Sequence, residues 1–177
     1  AIEGNTLAIS SPANFGRSDV FVYEALSGDL KWTYGYSNTE EDFDVRDITI
    51  DGDFVVVGVE EDQFDMPIAL LFERSTGELV DTIDICLQEP NRRNRCRFDD
   101  RRKRHLDLSG NRLVVGSYGT THESYGGSSV GSAHIFDVRT GSLLQSISNP
   151  LPASGDSFGY SVAIEGDMLV VGSDGET

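Results

Sequence analysis

The feature of this sequence that most restricts its fold is a ten-residue phrase that occurs four times. Each copy has glycine at its fourth position, followed by asparagine or aspartate and an aliphatic run. The copies are AIEGNTLAIS from Ala1, TIDGDFVVVG from Thr49, DLSGNRLVVG from Asp107 and AIEGDMLVVG from Ala163. Their glycines are 48, 58 and 56 residues apart. Recurrence at this spacing indicates an architecture of repeated units.

A second phrase recurs between the copies of the first. It is an alternating apolar run that ends in Ser or Thr followed by Gly, with Leu two places later. The copies are SDVFVYEALSGDLKW, PIALLFERSTGELVD and GSAHIFDVRTGSLLQ, with glycines at Gly28, Gly77 and Gly141. Alternation predicts strands, and glycine next to Ser, Thr, Asn or Asp predicts turns. In the first phrase, Gly and the following Asn or Asp both tolerate the positive φ of a two-residue hairpin.

Each unit therefore predicts four short antiparallel strands, and helix is expected to be minor. Repetition of such units predicts the blades of a β-propeller, with a stacked solenoid as the alternative. The LVVG run lacks polar alternation, which favours a strand packed on both faces. We expect an all-β, partial propeller over residues 1–177, with units at 1–47, 48–105, 106–161 and, incomplete, 162–177.

The units also resemble a known family. SFGYSVAIEG, LVVGS and GSAHIFDVRTGSLL resemble FG-GAP repeats, which occur in the propeller heads of integrin α subunits and in secreted propellers of bacteria and algae. Phe-Gly occurs in this context only at Phe158-Gly159. The places of the Gly-Ala-Pro element read Ser10-Ser11-Pro12, Gly58-Val59, Gly116-Ser117 and Gly172-Ser173. The resemblance implies a secreted or cell-surface protein.

Closure of the ring is expected to need further blades, because propellers typically have four to eight. We expect the remaining blades to come from the same, longer chain or from other copies of this one.

Calcium-binding members of the family use an Asp-rich loop between the first two strands of a blade. Here that connection reads EGN, DGD, SGN or EGD, which is too short to wrap an ion that takes six to eight oxygens. We therefore expect no cofactor at that loop. Two acidic runs are candidate calcium sites instead, with solvated loops as the alternative; their carboxylates are Glu40, Glu41, Asp42, Asp44, Glu60, Glu61, Asp62 and Asp65.

The charge of the chain is uneven. The net charge is −16, yet eight of the 14 basic residues form one stretch: Arg92, Arg93, Arg95, Arg97, Arg101, Arg102, Lys103 and Arg104. This stretch is a candidate docking site for a protein or for an anionic glycan, since Arg binds sulfate well. Alternatively, RRKR is a processing site, or the cations pair with the acidic remainder of the molecule. The net charge argues against nucleic acid as a partner, and no apolar run is long enough for membrane insertion.

The two cysteines, Cys86 and Cys96, flank a short segment. They are too few for a zinc site, and no CxxC is present. A disulfide between them would stabilise the fold by roughly 3 kcal/mol and would indicate an oxidising compartment. Two reduced, buried thiols are the alternative.

No motif in the sequence indicates catalysis. GxSxG and HExxH are absent, and the three histidines, His105, His122 and His134, share no local motif. His134 lies in an alternating run and is expected on a blade surface. The leading hypothesis is a non-enzymatic extracellular propeller for adhesion or protein assembly. The alternatives are a structural subunit of a large assembly and a quinoprotein-like enzyme, suggested by ALSGDLKWTY but disfavoured by the single tryptophan, Trp32.

Overall fold

The computed structural model describes residues 1–11, 18–35, 43–61, 66–85, 106–117 and 130–175, with only the backbone described at positions 60, 61, 66 and 67. Its strands are β1 (Ile2–Glu3), β2 (Thr6–Ser11), β3 (Asp19–Glu24), β4 (Leu30–Gly35), β5 (Phe43–Asp51), β6 (Phe54–Glu61), β7 (Met66–Glu73), β8 (Leu79–Asp84), β9 (Leu106–Ser109), β10 (Arg112–Ser117), β11 (Ser132–Asp137), β12 (Leu143–Ser148), β13 (Ser161–Glu165) and β14 (Met168–Gly172). No helix occurs among the described residues. The predicted all-β class is confirmed.

These strands form four sheets. Strands β1 to β4 form sheet 1, β5 to β8 form sheet 2, β9 to β12 form sheet 3, and β13 and β14 form sheet 4. Within each sheet the strands lie in chain order, and every neighbouring pair is antiparallel. The first three sheets are the predicted four-stranded blades. Strand β5 begins at Phe43 and runs across the unit boundary expected between residues 47 and 48.

Two residues separate the first and second strands of every sheet, and the first of them is glycine. The φ angles of these glycines are 54° at Gly4, 55° at Gly52, 58° at Gly110 and 54° at Gly166. The Asn or Asp that follows each of them has a negative φ. Positive φ at the first central position alone is the pattern of a type II′ turn, which matches the twist of paired strands. The predicted two-residue hairpin is therefore present, and its positive φ is supplied by the glycine.

The Ser or Thr of the second phrase stabilises the turn between the third and fourth strands. In sheet 2 the Thr76 hydroxyl donates to the Glu73 carboxylate and accepts a hydrogen bond from the Glu78 N–H at 3.2 Å. Ser27 makes the equivalent pair of bonds in sheet 1, and Thr140 accepts the equivalent backbone bond in sheet 3. The repeated Ser/Thr-Gly pair is thus turn chemistry rather than a binding motif.

The core consists of three apolar clusters, one between each pair of consecutive sheets. Two of the second strands, β6 and β10, contribute to two clusters each, because successive side chains point to opposite faces. On β6, Val55 and Val57 face sheet 1 while Val56 faces sheet 3; on β10, Leu113 faces sheet 2 while Val114 faces sheet 4. All five are fully buried. The prediction that this strand packs on both faces is confirmed for β6 and β10.

The first strands of consecutive sheets lie side by side, and a repeated hydrogen bond links them. The residue before each turn glycine accepts a bond from the N–H of the turn glycine in the next sheet. These bonds run from Gly52 to Glu3 (3.3 Å), from Gly110 to Asp51 and from Gly166 to Ser109 (3.0 Å). Sheets that stack face to face with their first strands together are the blades of an open, partial propeller.

Candidate functional site

The longer connections between strands all leave from one end of the sheets. Because strands alternate in direction within each sheet, the connection from the second to the third strand shares an end with the connection to the next sheet. The strand-end pairs Ser11–Asp19 and Ser117–Ser132 mark this end. We call it the loop end, and we call the opposite end, with its short turns, the turn end. Loops held on a rigid scaffold commonly carry binding residues.

The basic stretch and the cysteines belong to the connection between β8 and β9, at the loop end. Ile85 and Leu106, on either side of that connection, are both buried in the cluster between sheets 2 and 3. The predicted residues themselves lie outside the described residues: Cys86, Arg92, Arg93, Arg95, Cys96, Arg97, Arg101, Arg102, Lys103 and Arg104. The disulfide and the docking site stay predictions.

The two acidic runs meet on neighbouring strands, although 16 positions separate Asp44 from Glu60 in the sequence. Asp44 on β5 pairs with Glu60 on β6, and Phe43 pairs with Glu61 one step nearer the loop end. Sequence reasoning treated the runs as separate. The sequence does contain a signal for this pairing: Asp44 and Glu60 lie at nearly equal distances before and after the predicted turn at Gly52, and such residues face each other in a hairpin. The other members lie outside the described residues: Glu40, Glu41, Asp42, Asp62 and Asp65.

Arg46 forms an ion pair with Asp44 on the same strand, since its Nη2 lies 3.4 Å from Asp44 Oδ2. Within the described ranges, no group of three or more His, Cys, Asp or Glu residues is placed to hold a metal ion. Calcium at the acidic runs stays a prediction.

Arg74 crosses from sheet 2 to sheet 1 at the turn end. Its Nε donates to Thr6 Oγ1 at 3.0 Å, and its Nη1 donates to the Gly52 carbonyl at 2.9 Å and to the Glu3 carboxylate. The counterparts of Arg74 in sheets 1 and 3 are Ala25 and Val138, which cannot form the same clamp. Its donors are engaged within the protein, and we interpret it as structural.

A groove of about 320 Å³ opens beside Arg74 between sheets 1 and 2. Lys31 and Arg74 bring positive charge to its wall, and Asp53 and Glu73 bring negative charge. This balance gives the groove no preference for a ligand that carries only negative or only positive charge.

His134 was expected on a blade surface, and that expectation is wrong. Its side chain is 6% exposed, and it lies opposite Val115, which belongs to the cluster between sheets 2 and 3. Its Nε2 is 2.9 Å from the Ser132 hydroxyl and its Nδ1 is 3.0 Å from the Ser146 hydroxyl. Burial lowers the pKa of His134 below its ordinary value, because a low-dielectric environment disfavours the charged ring.

Phe158 and Gly159 tie sheet 4 to sheet 3 at the loop end. The Phe158 N–H donates to the Val130 carbonyl at 3.0 Å, and the Gly159 N–H donates to the Gly172 carbonyl at 3.0 Å. Gly159 has a φ of 90°, and a Cβ there would lie 2.1 Å from the Ser132 carbonyl oxygen. Only glycine fits so close to a neighbouring backbone. Phe158-Gly159 is the Phe-Gly element of the repeat, and Gly172 occupies the first place of its Gly-Ala-Pro element. The structure thus brings the two elements of the motif into contact.

The comparison with protein families agrees with this geometry. A family model described as the FG-GAP repeat matches residues 151–177. The chain contains an FG-GAP repeat. A search of curated proteins finds no match.

Solved structures are also similar to this chain, and one of them is a propeller. The Dos1 propeller is 15% identical with a TM-score of 0.44, over 77% of this chain and 34% of that one. The quinohemoprotein alcohol dehydrogenase ADHIIG of Pseudomonas putida HK5 is 18% identical with a TM-score of 0.43, over 87% of this chain and 25% of that one. This chain thus spans about a third and a quarter of their lengths.

In the described part of the chain, no helix has the length and apolarity needed to cross a bilayer.

Proposed function

We propose that this FG-GAP chain is a non-enzymatic, extracellular propeller module that binds a macromolecular partner through its loop end, in adhesion or in protein assembly. The observation that carries the proposal is the division between the two ends. The turn end repeats the same short turns in sheet after sheet, whereas the loop end joins connections that differ in length, sequence and charge. FG-GAP repeats occur in extracellular proteins, which supports the location.

The charges at the loop end of sheet 2 favour a charged partner. The acidic residues Asp44 and Glu60 pair there, and the connection to sheet 3 contains the eight cations between Arg92 and Arg104. A concentrated basic segment in a chain of net charge −16 is suited to a sulfated glycan or to an acidic protein surface. Such an interaction would weaken with added salt, because exposed charges are screened.

Immobilised heparin, as a probe sulfated glycan, tests this proposal. In one triple variant, Arg101→Gln, Arg102→Gln and Arg104→Gln remove three loop-end cations. In the matched control, Lys31→Gln, Arg112→Gln and Arg139→Gln remove three cations from the turn-end half of the sheets. We expect the first variant to elute at a clearly lower salt concentration than the wild type, and the control to elute close to it.

Equal shifts for the two triple variants would show that retention depends on net charge alone, and the assignment of the loop end would be wrong. Absence of wild-type retention at low salt would also contradict the glycan proposal. Intact mass of the purified chain must accompany the assay, because cleavage after Arg104 would instead support the processing interpretation.

A further inference from the structure

The groove beside Arg74 at the turn end is built by two sheets that each have four strands. It lies between sheets 1 and 2 and has a volume of about 320 Å³. Its walls come from β2, from β4, from the turn at Gly52 and from the turn that follows Glu73. This volume is at the lower end of the range for ligand pockets, so the groove suits a small ligand.

Two of the four charged side chains on the groove are already engaged. The Arg74 guanidinium donates to the Glu3 carboxylate, which compensates its charge. The Glu73 carboxylate accepts a hydrogen bond from the Thr76 hydroxyl and another, at 2.9 Å, from the Ser75 hydroxyl. These bonds, the one from Thr76 most of all, lower the pKa of Glu73, because they favour the charged form. Glu73 is therefore an anion that its own turn holds in place.

The other two charged side chains, Lys31 and Asp53, are not engaged. Among the described residues, neither the Lys31 ammonium nor the Asp53 carboxylate has a hydrogen-bond or ion-pair partner. Water satisfies most exposed charges, so this observation alone does not indicate a ligand. The decisive comparison is with the same positions in the other sheets.

The interface between sheets 3 and 4 shows which group is missing beside Asp53. Arg112 lies two places after the turn glycine of sheet 3, and Asp167 lies one place after the turn glycine of sheet 4. Arg112 Nη2 is 2.9 Å from Asp167 Oδ1. In sheets 1 and 2 the same two positions are Thr6 and Asp53. Threonine is short and uncharged, so Asp53 lacks the guanidinium that its counterpart has.

The interface between sheets 2 and 3 has no such gap. Its residues at the two positions are Phe54 and Asn111. The Phe54 ring packs against the apolar cluster between these sheets, and Asn111 has no charge to compensate. Of the three interfaces in the described chain, the one with the groove is thus where an acid faces a short, uncharged side chain.

We propose that the groove between sheets 1 and 2 binds arginine with a free carboxylate, either as the amino acid or as the last residue of a chain. The ligand guanidinium lies between Thr6 and Asp53, in the place that corresponds to the Arg112 guanidinium, and the ligand carboxylate pairs with Lys31. A planar guanidinium matches a carboxylate with two parallel hydrogen bonds. This site is at the turn end and does not depend on the proposed function.

Titration of the ¹⁵N-labelled chain with L-arginine tests the ligand. We expect the amide resonances of Thr6, Lys31 and Asp53 to shift. Citrulline replaces the guanidinium with a neutral group of similar shape, and agmatine lacks the carboxylate. Each should bind about three- to fivefold more weakly than arginine, because each loses one exposed ion pair. Equal binding of all three ligands would overturn the proposal.

The protein side is tested with Asp53→Asn and the matched control Asp167→Asn. Asparagine already occupies this turn position in sheets 1 and 3, as Asn5 and Asn111, so the turn tolerates it. We expect Asp53→Asn to weaken arginine binding by about three- to fivefold and to leave citrulline binding unchanged. Asp167→Asn should bind arginine as the wild type does. Wild-type binding by Asp53→Asn, or equal losses in both variants, would contradict the assignment.

A short peptide that ends in arginine, compared with its amidated form, distinguishes the two sources of the ligand. Free arginine brings an ammonium close to Lys31, whereas the peptide has an uncharged amide there. Tighter binding of the free-acid peptide than of L-arginine, with a loss on amidation, would assign the groove to a chain end. Binding of L-arginine that equals or exceeds that of the peptide would assign it to the amino acid. Failure of both to shift the three resonances would show that the proposal is wrong.

Discussion

The interface between sheets 1 and 2 contains a cluster of aromatic rings, whereas the interface between sheets 2 and 3 is mostly aliphatic, although both use the same repeated positions. At the first interface the Phe72 ring lies 5.5 Å from the Trp32 ring and 4.8 Å from the Tyr34 ring, centroid to centroid. At the second, the counterpart Phe136 packs in a cluster with Leu71 and Ile83. The repeated phrases therefore specify the backbone, and the residues between them specify each interface.

The same contrast occurs where the fourth strand of one sheet meets the third turn of the next. Trp32 lies on the turn at Gly77, and its Nε1 donates to the Arg74 carbonyl at 3.1 Å. A Cβ at Gly77 would be 2.5 Å from the Trp32 ring. At the second interface Asp81 takes the place of Trp32, and a Cβ at Gly141 would be 3.6 Å from its carboxylate. One repeated glycine is thus needed for contact between sheets as well as for its turn, while the other is needed for its turn alone.

The largest expected effect breaks the aromatic cluster. Phe72→Ala and Phe136→Ala each remove a buried ring, which typically costs about 3–5 kcal/mol of unfolding free energy. Phe72→Ala should cost more, because it also removes two ring pairs worth about 0.5–1.5 kcal/mol each. Urea denaturation of both variants measures the difference. Equal losses would mean that the ring pairs add nothing beyond burial.

A smaller effect is expected at the two turn glycines. Gly77→Ala and Gly141→Ala both place an alanine at a positive φ, 74° and 64° respectively, at a cost of roughly 1–2 kcal/mol. Gly77→Ala should lose a further 1–3 kcal/mol or so, because the Trp32 ring must move. In a Trp32→Ala background this excess should disappear. Thermal and urea unfolding of the single and double variants provide the cycle, and strict additivity would contradict the contact.

The smallest effect is the pH dependence of stability, because the second interface contains a histidine that can be protonated and the first does not have one at the same position. His134 is buried at the second interface, while the same position at sheet 2 is Leu70. Since burial lowers the pKa of His134, the unfolded chain binds its proton more readily than the folded chain. Protonation of His134 therefore does not affect the free energy of unfolding at neutral pH. As pH falls below the ordinary histidine pKa, the free energy of unfolding decreases by up to about 1.4 kcal/mol per pH unit.

The variant His134→Leu places the residue of the first interface at the second. Its unfolding free energy should fall less between pH 7.5 and pH 5.5 than that of the wild type, as measured by urea titration at both values. Carboxylates contribute equally to both proteins, so the difference isolates the imidazole. Parallel pH profiles would show that His134 gains its proton without loss of stability.

Much of the fold could be predicted because its determinants are local. Alternation of apolar residues, the glycine before Asn5 or Asp53, and the Ser/Thr-Gly pair each act over a few residues and repeat in register with the strands. For the candidate site, the sequence predicted the charged stretches but not which residues of different stretches lie next to each other. The pairing of Asp44 with Glu60 depends on a bulge in the β5–β6 register, where the pairing shifts between Val45 and Asp47. No residue in that stretch predicts the bulge.

The amino-acid sequence by itself determined the four copies of the unit, their turns and the strands that must be apolar on both faces, because these depend on backbone torsions and on side-chain period. Only the tertiary structure decided that His134 is buried and that Trp32 packs on Gly77. Those properties depend on which sheet lies against which, and a side chain at a repeated position takes its environment from the neighbouring sheet rather than from its own phrase.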